Sequence, residues 1–163
     1  MNKGLLLLAK LENDAFPDKQ WLSLDNVLRR NLDLMDDVFQ HQSMQVVQFI
    51  QNKQVFASSS LMEILISNLL SNVLAHSSSE AKVIITLNDQ YLEISNDGEP
   101  LTFEPSRLFI RFGKGAPGYN GNGLGLSIVK QTCIACQWDI TYSYHRGMHH
   151  FKISFDNLKT QIE

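Results

Sequence analysis

Residues 61–76 carry two asparagines, Asn68 and Asn72, in an otherwise apolar run. If the run is helical, a turn of about 100° per residue puts Leu61, Leu65, Asn68, Asn72 and His76 within an arc of about 80°. Two amides then sit inside the stripe that faces the core, where an amide without partners is costly. Two readings are open: the amides cap neighbouring backbone groups, or the stripe faces a polar ligand. A side-chain amide oxygen is a hard ligand of the kind that suits Mg²⁺. A second cluster is the string Gly118-Tyr-Asn-Gly121-Asn122-Gly123-Leu124-Gly125-Leu126. Glycines so spaced let backbone approach a ligand with its N–H groups unblocked. They lead straight into an apolar helix, whose free N–H groups and dipole favour anions. This points to phosphate; a flexible linker, the alternative, fits poorly with a helix that starts at once. Two familiar phosphate loops do not match. Gly113-Lys114 is followed by Gly115 where a P-loop needs Ser or Thr. A dinucleotide fingerprint needs a preceding strand and a glycine where Leu126 stands. The third cluster, Ile94-Ser-Asn96-Asp97-Gly98-Glu-Pro100-Leu101, is a strand ending in polar residues and a glycine. Alone, it reads as a turn.

These clusters need elements to hold them. Ser23 reads as an N-cap with Asp25 in the favourable first turn, and apolar spacing carries a helix over residues 24–40. Residues 45–50 and 54–57 read as a hairpin turning at 51–53. A helix over 61–75 follows, capped by one of Ser58, Ser59 and Ser60. Strands are expected at 83–87 and 91–95, a long Gly/Pro-rich loop at 96–123, a helix at 124–136, and strands at 138–144 and 150–155. Loops of that length are usually functional. This order predicts an α+β fold, helices on one face of a mixed, mostly antiparallel sheet. At the start, Leu5–Leu8 and Leu11 cover more of a helix than one domain face needs. The helix either folds back on its own core or meets a partner. A chain of 163 residues with 44% hydrophobic and 19% charged residues fits one globular domain and excludes wholesale disorder. A net charge of −3 argues against a nucleic-acid partner. No apolar run is long enough for a signal peptide or a membrane span, so a soluble domain in a reducing compartment is expected, cytoplasmic either by itself or as the cytoplasmic part of a membrane-bound protein.

Taken in order, these segments resemble a known family. Glu63–Asn72 resembles the N box of bacterial sensor histidine kinases. Asn96-Asp97-Gly98-Glu99-Pro100 resembles the G1 box, and Leu108-Phe109-Ile110-Arg111-Phe112 the F box. Gly121-Asn122-Gly123-Leu124-Gly125-Leu126, running on to Lys130, is very similar to the G2 box. The resemblance covers about residues 21–156. It implies a Bergerat-type two-layer α/β sandwich, about three helices against the sheet, with a mobile ATP lid. Residues 17–163 would form the ATP-binding catalytic domain, and residues 1–16 the end of a dimerisation helix with its linker. By the same resemblance Asn72 holds Mg²⁺ on the phosphates of ATP with Asn68 beside it. His76, at the end of the same helix, either approaches the ligand or caps the helix. Asn96 meets the adenine amino group, and Gly98 and Leu101 lie against the base. Phe109 and Phe112 anchor the lid, Arg111 or Lys114 reaches the γ-phosphate, and Gly121 to Leu126 cradle the phosphates. Hydrolysing relatives such as gyrase and MutL carry a water-orienting glutamate where Asn68 stands. An asparagine there cannot act as a base, which favours phosphoryl transfer over hydrolysis.

The sequence departs from the family at several places. Asn96 replaces an aspartate, Pro100 a glycine, Ala75 a basic residue that meets phosphate, and Lys114 an arginine. These leave two alternatives: a regulatory nucleotide-binding module without phosphotransfer, and an ATP-hydrolysing relative. None of His41, His76, His145, His149 and His150 lies in the family's phosphoacceptor box. The acceptor histidine is therefore expected on a separate dimerisation hairpin, the chain itself monomeric, the parent protein a homodimer, and a response regulator the final acceptor. Cys133-x-x-Cys136 with His145 and His149 has too short a gap for a zinc finger, so buried free thiols are expected.

Overall fold

The computed structural model describes residues 2–112 and 123–156. The chain runs α1 (Lys3–Glu12), β1 (Lys19–Ser23), α2 (Leu24–His41), β2 (Gln45–Ile50), β3 (Gln54–Ser58) and α3 (Ser59–His76). It continues through β4 (Lys82–Leu87), β5 (Tyr91–Asp97), a short 3₁₀ turn (Pro105–Arg107), α4 (Gly125–Ala135), β6 (Asp139–His145) and β7 (Met148–Ser154). The main sheet has five strands in the order β2-β4-β5-β7-β6, and β1 pairs with β3 in a separate two-stranded sheet. The sheet is mixed: β2 runs parallel to β4, and every other neighbouring pair is antiparallel. Helices α2, α3 and α4 lie side by side with α3 in the middle, and α1 packs on α4. This is the α+β sandwich that the sequence pattern predicts.

Local chemistry explains the elements. Ser23 Oγ accepts from the Asn26 N–H and starts α2; Ser58 does the same for α3 at Leu61. Strands β4 and β7 alternate buried and less buried residues, as strands with one covered face must, and β5 does so up to Ile94. The core joins Val83, Ile85, Leu87, Leu92, Ile94, Phe151 and Ile153 of the sheet to Leu61, Met62, Leu65, Ile66, Leu69, Leu70 and Val73 of α3. Each such side chain contributes about 1.5–3 kcal/mol on burial.

The hairpin expected from residues 45–57 does not form. Val46 and Ile50 on β2 pack on the main core beside Val83 and Leu87, whereas Val55 and Ala57 of β3 are buried over α3. The two strands therefore serve different sheets. The link between them is held at both ends, because Gln51 N–H donates to the Leu87 carbonyl and Leu24 N–H to the Lys53 carbonyl. Strand β1, ending at the capping Ser23, was not expected from the sequence. It is fixed by backbone pairing to β3 rather than by an apolar face, so no hydrophobic pattern announces it. Trp21 is 71% exposed and lies on Phe56 across that pair, with ring centroids 5.6 Å apart. Within the long loop, residues 108–112 are turns and a bend beyond the 3₁₀ segment.

Helix α1 folds back on the chain. Leu8 and Leu11 are buried in the common core, while Leu5 and Leu6 remain exposed. A Cβ on Gly4 would lie 2.8 Å from Leu124 Cδ1, so α1 and the start of α4 touch as closely as a glycine allows. We predict that Leu65→Ala costs about 2–5 kcal/mol in urea unfolding. Leu34→Ala, at a site 76% exposed, should cost less than about 0.5 kcal/mol.

Candidate functional site

Three segments meet at the C-terminal half of α3. Asn68 is half-buried and turns its Nδ2 back on its own helix, donating to the Ile64 carbonyl at 2.8 Å. Its Oδ1 faces the first residue of α4, where a Cβ on Gly125 would lie 3.2 Å from it. One turn on, Asn72 is half-buried, and its side chain has no hydrogen bond among the described residues. Of the two readings open for the amides, self-capping holds for Asn68 and not for Asn72. His76 closes the helix at its exposed end.

Strand β5 delivers Asn96 beneath this helix end. Asn96 is 2% exposed. Its Nδ2 donates to Ser77 Oγ at 2.9 Å and to the Asp97 carbonyl at 3.3 Å, while its Oδ1 is buried without a donor. A buried polar atom left unpaired costs about 1–3 kcal/mol and calls for an explanation. Asp97 turns outward and caps the Lys82 N–H at 2.8 Å.

Gly98 sits against an imidazole. A Cβ there would lie 2.7 Å from His149 Nε2, so the space is already taken by that ring. The loop is pinned on both sides, Gly98 N–H donating to the Gly147 carbonyl and Tyr144 Oη to the Gly98 carbonyl. His149 lies opposite Asn96 across β5 and β7 and is 9% exposed. Its Nδ1 shares a hydrogen bond with Tyr142 Oη at 2.7 Å. Burial lowers its pKa; a hydrogen bond to the Glu99 backbone opposes this, and the nearby His150 adds to the lowering. His76 is also lowered, by partial loss of solvent and by His149. Sequence reasoning gave Ser77 no role and weighed His149 only as a phosphoacceptor and a zinc ligand. The signal for His149 was the alternation His149, Phe151, Ile153, which puts the imidazole on the core face of β7.

The remaining segments carry the expected loop residues. Phe109 is half-buried and meets Phe151 edge-on at 6.5 Å, so it is anchored. Phe112 is 52% exposed, and its N–H donates to the Gly123 carbonyl. Gly123 has φ +69°, and a Cβ there would meet Phe112 Cα at 3.0 Å. Leu124 and Leu126 are buried under the first turn of α4, and Leu101 is half-buried. Arg111 makes an ion pair with Glu12 of α1. Lys114, Gly121 and Asn122 lie outside the described residues.

Other clusters do not converge. Burial pushes the Cys133 thiol well above its ordinary range and that of Cys136 up to about 11, so both are inert. His149 faces the core side of the sheet and His145 the other, which rules out a shared zinc site with the cysteines. Among the described residues no group of three His, Cys, Asp or Glu side chains is placed to hold a metal. A groove of about 510 Å³ lined by Phe16, Phe56, Leu61, Ile134 and Cys136 opens at the other end of α3. It lies about 16 Å along the helix from Asn72. No helix of the described residues is long and apolar enough to cross a membrane.

Two predictions follow from the His149 packing. Gly98→Ala should destabilise the fold by about 1–3 kcal/mol, and much of the loss should vanish in a His149→Ala background, by urea unfolding of the four chains. Because His149 and His76 bind protons less readily folded than unfolded, stability should fall as pH drops below 6.5 and level off below their folded values. Urea midpoints between pH 7.5 and 5 measure this, and His149→Gln should flatten the slope.

Comparison with known proteins agrees with this geometry. Residues 57–159, from the end of β3 through β7, match the family described as histidine kinase-, DNA gyrase B- and HSP90-like ATPase. The chain is 28% identical over 162 residues to the sensor histidine kinase HprS of Escherichia coli, covering 94% of this chain and 35% of that protein. It is 31% identical over 138 residues to the heme sensor protein HssS of Staphylococcus aureus, covering 77% of this chain and 29% of that one. It thus spans about a third of the length of these relatives. Among solved structures, the Acinetobacter baumannii histidine kinase AdeS superposes with a TM-score of 0.73 at 18% identity, over 96% of this chain and 76% of that one. The catalytic domain of the histidine kinase ThkA gives 0.73 at 17% identity, over 84% and 94%. By the match over most of its length, this chain belongs to the family of histidine kinase-, DNA gyrase B- and HSP90-like ATPases.

Proposed function

We propose that the chain is the catalytic domain of a sensor histidine kinase. It binds Mg-ATP and passes the γ-phosphoryl group to a histidine on a separate dimerisation hairpin. The observation that carries the reading is the Asn96 Oδ1, buried and without a donor beside the end of α3. The amino group of adenine supplies the donor it lacks. Family membership supports ATP, and the names of the relatives support two-component signalling.

The other roles follow from placement. Asn72, half-buried and uncommitted among the described residues, suits one ligand of a Mg²⁺ that otherwise keeps waters and phosphate oxygens. The metal, when bound, neutralises charge on the phosphates. The first turn of α4 presents backbone N–H groups of the kind that suit an anion. Arg111, held by Glu12 at the surface, must exchange that partner for phosphate if it is to act. The pair is exposed, so the exchange costs at most about 1 kcal/mol. In the transfer the Pγ–O bond to ADP breaks, an N–P bond to the acceptor imidazole forms, and ADP leaves as the anion. Asn68 commits its Nδ2 to its own helix and has no proton-accepting carboxylate, so water at this position goes unactivated. This favours transfer over hydrolysis. Helix α1 is read as the last turns of the dimerisation helix, and a response regulator as the final acceptor.

Calorimetric titration with a non-hydrolysable ATP analogue should give micromolar affinity that falls at least tenfold without Mg²⁺. Asn72→Asp should abolish the metal-dependent part and leave the melting temperature within a few degrees. It is cleaner than Gly123→Val, which also strains a positive-φ position. With a hairpin bearing an acceptor histidine, labelled phosphate should move to the hairpin. Binding without transfer would make the chain a regulatory module, and steady release of phosphate would make it a hydrolase.

A further inference from the structure

The Asn96 amide is held from one side only. Its Nδ2 has two acceptors, Ser77 Oγ at 2.9 Å and the Asp97 carbonyl at 3.3 Å, while its Oδ1 has no donor. A primary amide is nearly symmetric in shape. A free asparagine reads a donor or an acceptor equally well by turning over about its last side-chain bond. Here the turn is opposed. It would bring Oδ1 against the Asp97 carbonyl, two acceptors facing each other, with only the Ser77 hydroxyl able to adapt by donating. Both acceptors are themselves fixed. Ser77 is the C-cap residue of α3, its N–H donating to the Val73 carbonyl. Asp97 ends β5, opposite Met148 of β7, with its carboxylate bonded to the Lys82 N–H.

We propose that Ser77 is a positioning residue that, together with the Asp97 carbonyl, locks the Asn96 amide with Oδ1 as the only group offered to a base. The site then accepts a purine with a 6-amino group and rejects one with a 6-oxo group. This rests on the nucleotide reading above and deepens it. The aspartate that Asn96 replaces has no donor and needs no lock; an asparagine does, because unlocked it would serve both purines. A 6-amino group satisfies the orphan oxygen. A 6-oxo group faces it with a second acceptor and leaves both unpaired in a buried place, which sites of this kind reject by on the order of 10²-fold or more.

The test is titration of the whole chain with the non-hydrolysable analogues AMP-PNP and GMP-PNP at fixed Mg²⁺, in wild type, Ser77→Ala and Ser77→Thr. Wild type should prefer the adenine analogue by about 10²-fold. Ser77→Ala should narrow the ratio to about tenfold or less, by losing adenine affinity and gaining guanine affinity. Ser77→Thr keeps the hydroxyl and should restore the ratio. The helix cap uses the Ser77 backbone N–H, which alanine retains, so melting curves should match. If Ser77→Ala weakens both analogues equally, the residue is merely structural and the proposal fails. If wild type binds both within a few-fold, the amide is not locked and the proposal fails while nucleotide binding stands. If neither binds, the nucleotide reading fails and takes this inference with it.

Discussion

Helix α3 has to be buried on almost every side and still present a polar edge. It lies between α2 and α4 with the sheet beneath, and seven of its side chains are buried in the core. The polar groups it carries at that depth must each be matched. Glu63 shows the rule at the first turns. Burial would raise its pKa, but hydrogen bonds from Arg30 and Asn31 outweigh this and hold it below the ordinary carboxylate value. Asn68 is matched by the Ile64 carbonyl. Toward the C-terminal end the matching stops: Asn72 is uncommitted among the described residues, and Asn96 beneath it keeps a bare oxygen. A well-satisfied helix with one unsatisfied end is the physical form of a binding site.

The segments around that end are set by the same packing. Gly125 lets the start of α4 approach Asn68, and Leu124 fills the space left by Gly4 on α1. Arg111, just before the residues outside the description, pairs with Glu12 at the other end of α1. Helix α1 therefore touches the chain on both sides of residues 113–122. A shift of α1 has to break the Gly4–Leu124 packing or the Arg111–Glu12 pair.

The helices and the site segments were legible in the sequence because their signals are local. Ser23 and Ser58 cap helices through hydroxyls three residues from their targets, and the period of Leu61, Leu65 and Asn68 shows in any window of two turns. The strands β4 to β7 read correctly because one face of each is covered. What failed was pairing. Nothing local says that β2 pairs in parallel with β4 across the whole of α3, or that β3 joins β1. Strand β1, held by backbone bonds with Trp21 in solvent, has no pattern to read. In the site, Asn72, Asn96 and the glycines were marked by residue type. Ser77 was not, and His149 was weighed only for other roles, because what they do here comes from contacts across α3, β5 and β7 that only the folded chain creates.

The most direct test of the nucleotide site is nuclear magnetic resonance of the ¹⁵N-labelled chain titrated with an ATP analogue and Mg²⁺. The largest shifts should fall on the side-chain amides of Asn72 and Asn96 and on the backbone of Gly98 and Gly125, with the outer sheet face around His150 unmoved. Shifts gathered instead around Phe56, Ile134 and Cys136, or none at saturating analogue, would contradict a nucleotide site at the end of α3.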